Sequence, residues 1–185
     1  MHNRNIHPTR KIILMLLACC AFLSTAASAQ DSLAKRIQAI EDRIAIEELI
    51  MGVYPRALDS ANWKLYASLF AKEGELVQGD QIVKGPAAIE AQFTGPTPAA
   101  PPQQEGAGQE LRINKHVISN LTITFESETR ASASAYWETV ITRGRTTTIA
   151  GAGHYNDLLV KEAGAWKFLS REIVNPLRAA AAASN

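Results

Sequence analysis

Apolar residues Leu33, Ile37, Ile40 and Ile44 recur at spacings of four, three and four, which predicts an amphipathic helix. Asp31 or Ser32 can cap its start, and the stripe continues through Leu49, Ile50 and Val53. Pro55 should kink or interrupt it. Asn62 can cap a short second helix whose apolar face is Trp63, Tyr66, Leu69 and Phe70. Gly79-Asp80 reads as a tight hairpin turn between 75–78 and 81–84. Gly85-Pro86 opens a third helix running to Phe93, with proline in its first turn. The stretch 94–109 is rich in proline and glycine and has no period; it reads as a variable insertion, or as a lid over a pocket. Beyond Gln109 the period falls to two. Four β-rich runs follow, near 111–125, 130–142, 146–161 and 165–174, separated by short turn signals. Such connections imply an antiparallel meander. Helices first and strands last read as α+β, with the helices on one face of the sheet.

Composition changes the picture at the N-terminus. Residues 1–29 read as an export signal: Arg4, Arg10 and Lys11, then the apolar run Ile12 to Leu23, then Ala27-Ser28-Ala29 before a cut at Gln30. The alternatives are an uncleaved anchor, or a lipoprotein on Cys19 or Cys20. The expected product is periplasmic or secreted, with no stable membrane insertion after cleavage. Its single domain spans 30–178, and 179–185 is an alanine-rich tail. Cleavage would remove both cysteines, leaving no thiol chemistry and no disulfide. It would also remove three of the 19 basic residues, leaving 16 against 18 acidic ones, a net charge of −2. No basic stripe suggests nucleic acid.

Asp59 lies where a helix should be running out, facing the negative end of the helix dipole. Something else must account for it, and His116, on the first long strand, is the natural partner. An Asp–His pair suits proton abstraction next to a carbonyl, or elimination: the carboxylate orients one ring nitrogen and the other acts as base. The plainer reading is that Asp59 helps cap the second helix and His116 is a core histidine. Tyr54 is a candidate donor, but residues five apart lie about 140° apart on a regular helix, so it meets Asp59 only if the Pro55 region bends.

The stretches DRIAIEELI, YPRALDSANW, SLFAKEGEL, GPAAI, HVISNLTI, GHYNDLLVKEAGAW and KFLSREIV resemble the SnoaL-like branch of the nuclear transport factor 2-like superfamily. The resemblance runs from about 33 to 175. It implies a cone-shaped fold, with a curved, mostly antiparallel sheet closed by three helices around a pocket. Members include bile-acid and scytalone dehydratases and a hexachlorocyclohexane dehydrochlorinase, which use an Asp–His pair. The resemblance puts Asp59 and His116 in those roles and Tyr54 at a bile-acid dehydratase tyrosine. It also implies homo-oligomers, dimeric or trimeric.

Four further residues are candidates for substrate binding. Asn120 shares a strand face with His116 by simple alternation, although a strand-end backbone bond would also explain it. Trp137 ends a face of Ala131, Ala133 and Ala135 that lines either pocket or core. His154 sits on a later strand. Arg171 can hold a carboxylate or serve a structural ion pair with Glu172 or another subunit. Two histidines on separate strands make a poor metal site, and no metal or cofactor is expected. There is no GxSxG elbow, phosphate loop or dinucleotide fingerprint. The expected function is that of a cofactor-independent lyase, dehydratase-like, or an isomerase, acting on a small apolar molecule. The alternatives are a non-catalytic small-molecule-binding protein and an interaction module with a filled pocket.

Overall fold

A computed structural model describes residues 30–95 and 112–175. The leader at 1–29, nearly all of the 94–109 stretch and the tail from 179 lie outside the described residues. Two compact units divide the chain, Met1–Asp42 and Arg43–Asn185. The described part of the first, 30–42, is helical, and Leu33, Ile37 and Ile40 are exposed on it.

The second unit begins as helix over 43–47 and passes into a π-helical turn, Glu48–Val53. There follow α1 (Tyr54–Asp59), α2 (Trp63–Ser68), β1 (Phe70–Gln78), β2 (Gln81–Lys84) and α3 (Pro86–Thr94). The long strands complete it: β3 (Arg112–Ser127), β4 (Arg130–Arg143), β5 (Thr146–Glu162) and β6 (Ala165–Val174).

The expected apolar stripe changes face within this unit. Ile44 is exposed, whereas Ile46, Leu49 and Ile50 are buried. Two residues advance a helix by about 200°, so the core-facing side starts at Ile46 and not at Ile44. Pro55 does not break the helix. The Tyr54 N–H reaches back five residues to the Leu49 carbonyl, and Pro55, with no N–H to give, falls in the first turn of α1. The wider turn leads into a fully buried Tyr54. Asn62 caps α2 as its side chain predicts, accepting from the Leu65 N–H at 3.0 Å.

The six strands form one curved, open sheet in the order β2-β1-β6-β5-β4-β3. β3 to β6 are the antiparallel meander expected of short turns. The last strand then lies parallel to β1, a long-range pairing no local signal announces. Among the described residues β3 is left at an edge, with a row of backbone groups that no strand covers. Tyr54, Tyr66, Phe70 and Phe168 build the centre of the core, with Tyr54 and Phe168 in edge contact at 5.8 Å.

A candidate acid-base site in the sheet cavity

A cavity of about 640 Å³ opens between the helices and the sheet of the second unit. Its size excludes the reading in which side chains fill the pocket. Tyr54, Tyr66, Phe93, Trp137 and Tyr155 supply aromatic walls, and His116 and Thr139 supply polar groups.

α1 ends at Asp59, and that end lies against the edge of β3. The His116 backbone N–H donates to Asp59 Oδ1 at 2.9 Å. The same oxygen stands 2.9 Å from His116 Nδ1. Lys115 Nζ approaches Oδ2 at 3.3 Å. The carboxylate therefore does two jobs: it satisfies an edge-strand amide and it orients an imidazole. Burial pushes its acidity down, but the bonds from His116 and Lys115 outweigh that, and Asp59 titrates below its ordinary value of 3.8. An ionised Asp59 favours the His116 tautomer protonated at Nδ1. Nε2, on a ring that lines the cavity, is then the acceptor. Asp59 does not cap α2; Asn62 does.

Tyr54 and Asp59 serve different partners. The Tyr54 hydroxyl shares hydrogen bonds with Tyr66 and Tyr155. Burial, reinforced by Tyr54, pushes both of those phenols well above the usual range, so they are neutral donors and not bases.

The remaining predicted residues divide. Trp137 lines the cavity. Its ring lies against Gly151 and Gly153 of β5 and stacks on Tyr155 at 6.0 Å. A Cβ at Gly153 would collide with the Val174 carbonyl oxygen and come within 2.9 Å of the indole. Trp137 Nε1 is buried with no hydrogen-bond partner among the described residues, and so is Asn114 Oδ1. Leaving such a group unpaired costs about 1–3 kcal/mol.

Arg171 is not open to a substrate. It is fully buried and gives Nε and Nη2 to Asp157 at 2.7 and 2.6 Å. The rings of Tyr54, Phe168 and Tyr155 surround it at 3.9, 4.0 and 4.2 Å. Burial alone would loosen its proton; Asp157 beside it raises its pKa instead and keeps it charged. Its partner is thus Asp157, not Glu172, which binds Asn156.

Asn120 and His154 lie elsewhere. Asn120 is exposed, with φ +52° at a register shift between Ser119 and Thr122. This bulge breaks the alternation that would have aligned it with His116, and it brings Leu121 onto the core. His154 is cross-strand partner to exposed Tyr136. It therefore projects from the face of β5 opposite Tyr155. Sequence reasoning missed Tyr66, Tyr155, Thr139 and Asp157. Among the described residues no cluster of three His, Cys, Asp or Glu could hold a metal.

The SnoaL-like domain family model matches residues 38–172, and the chain belongs to that family. Solved structures agree on the fold. A nuclear transport factor 2-like protein with a cystatin-like fold from Novosphingobium aromaticivorans is 24% identical (TM-score 0.64), over 82% of this chain and 93% of that one. A second protein of that organism, provisionally called a scytalone dehydratase, is 26% identical (TM-score 0.58), over 76% and 87%. LinA is 18% identical (TM-score 0.59), over 75% and 88%. No curated protein matches.

Proposed function

We propose that this protein is a lyase or isomerase in which His116 is the general base and Asp59 its orienting partner. The observation that carries the reading is the 2.9 Å contact between Asp59 Oδ1 and His116 Nδ1 beside a cavity large enough for a small molecule. The scytalone dehydratase label on one similar structure agrees with it. His116 Nε2 takes a proton from a carbon next to a carbonyl, and Asp59 stabilises the imidazolium. In a dehydration the C–O bond at the next carbon breaks and the imidazolium returns its proton to the departing oxygen. A double bond and water result, and the histidine is neutral again. In an isomerisation the same proton returns to another carbon. Tyr66 and Tyr155 are held as neutral phenols and do not compete as bases. We include export in the proposal on the leader pattern of residues 1–29 alone.

A panel of cyclic β-hydroxyketones in D₂O, followed by NMR for water loss and for deuterium uptake next to the carbonyl, tests the reading. Wild type should accelerate one of the two, and His116→Gln should lose roughly 10²–10⁴-fold while still binding. Unchanged turnover in His116→Gln would remove the base. Binding without any turnover would identify a carrier using the same cavity.

A further inference from the structure

The N-terminal helical stretch carries an apolar pattern that the core does not use. Leu33, Ile37, Ile40 and Ile44 are all exposed. Their spacings of four, three and four are those of positions d, a, d and a in a seven-residue repeat, the pattern of a coiled-coil seam. In the first unit the buried position is Asp42, and Leu33, Ile37 and Ile40 lie about 140–180° around the helix from it. In the second unit Ile46 and Leu49 are buried, and Ile44 stands about 140–160° away from them. The seam is thus turned away from the buried side in each unit. Two heptads by themselves make a marginal helix. Residues 43–47 are already helical in the second unit, so pairing starts from formed turns.

Charge identifies what covers the seam. Arg36 holds the g position and Glu41 the next e position, and both are exposed. Parallel copies in register bring each g residue opposite the e residue five further along the other chain. Arg36 then meets Glu41 of the second copy, twice by symmetry. Arg43 and Glu48 repeat the spacing, although each also has an exposed partner in its own chain, Glu47 and Arg56. An antiparallel pair would set arginine against arginine and glutamate against glutamate. A membrane surface fits less well: residues 30–44 carry three basic and three acidic side chains, with no cationic surplus for anionic lipid. We propose that Leu33, Ile37, Ile40 and Ile44 pair with the same segment of a second copy of this chain, as a parallel, in-register coiled coil.

Sedimentation velocity of the whole protein from about 1 to 100 µM tests it. Wild type should associate as concentration rises, and Ile37→Asp with Ile40→Asp should weaken association at least about 100-fold. Arg36→Glu should weaken it about three- to tenfold, and adding Glu41→Arg should restore it to within about twofold of wild type. Residues five apart lie about 140° apart on one helix, so no contact within a chain explains that rescue. Leu33→Cys, placed in a chain with Cys19→Ser and Cys20→Ser, should form a disulfide-linked dimer on mild oxidation, because only a parallel, in-register pair sets residue 33 against itself. A wild type that stays monomeric, association indifferent to the two aspartates, a charge exchange that does not rescue, or no Leu33→Cys dimer would each overturn the proposal. Monomers that bind anionic vesicles through this seam would overturn it in favour of a membrane. The charge exchange leaves every apolar residue in place, so the test stands even if the aspartate variant misfolds. None of these readouts involves the cavity, so this proposal and the acid–base reading fail separately.

Discussion

At the scale of single residues, the site depends on two carboxylates that meet opposite fates. Asp59 is only partly enclosed and collects three donors. Its folded pKa lies below the unfolded one, so its contribution to stability is complete above about pH 4 and fades as the pH falls through the lower, folded value. Asp59→Asn should therefore be less stable than wild type at pH 7, with the gap closing toward pH 3. Urea midpoints at both pH values measure this, and a gap that widens in acid would contradict it. Asp157 is fully enclosed with Arg171 and accepts from its Nε and Nη2, while Arg171 Nη1 is buried with no partner among the described residues. Removing one partner strands the other: Arg171→Met or Asp157→Leu alone should cost about 3–5 kcal/mol, and the double substitution should recover most of it. Urea unfolding of the three variants checks the cycle. Glycine at 153 is equally constrained. Gly153→Ala should cost about 1–3 kcal/mol by overpacking and displace Trp137, visible as a changed tryptophan emission.

At the scale of elements, the bulges decide what a sequence can disclose. Three of the four hairpins were legible because Gly79-Asp80, Arg143-Gly144-Arg145 and Ala163-Gly164 carry their own turn chemistry, and the strands appear where their period does. The Asp59–His116 meeting was legible as a question, since a carboxylate at a helix end needs an explanation. Registers were not legible. Counted from the Glu162–Ala165 turn without interruption, Asp157 would face Ser170; the shift between Leu158 and Leu159 brings Arg171 opposite instead. Asn120 misled for the same reason, since its positive φ inserts one residue into an alternating pattern. Asparagine tolerates that conformation and a β-branched residue does not. Asn120→Gly should leave the melting temperature nearly unchanged, while Asn120→Val should destabilise by about 1–2 kcal/mol. Equal effects of the two would mean the bulge is not held by backbone preference.

At the scale of the whole molecule, the distribution of cysteine and charge makes export testable without knowing any substrate. Both cysteines and three basic residues stand in the first 29 positions, and every acidic residue stands beyond them. A cut before Gln30 therefore changes three quantities together: thiols fall from two to none, net charge falls from +1 to −2, and the N-terminus becomes a glutamine. Lipoprotein processing would instead leave an acylated Cys19 or Cys20 and hold the protein at a membrane. An uncleaved anchor would keep both thiols. Among the described residues no helix is long and apolar enough to cross a bilayer, so a helical anchor in the chain would have to come from outside them. Intact mass and thiol titration of the full-length gene product, recovered from the periplasmic fraction, should give a chain beginning at Gln30 with no reactive thiol. A lipid-modified mass would redirect the cavity's access toward molecules delivered at a membrane surface, and a retained leader with both thiols would identify the uncleaved anchor.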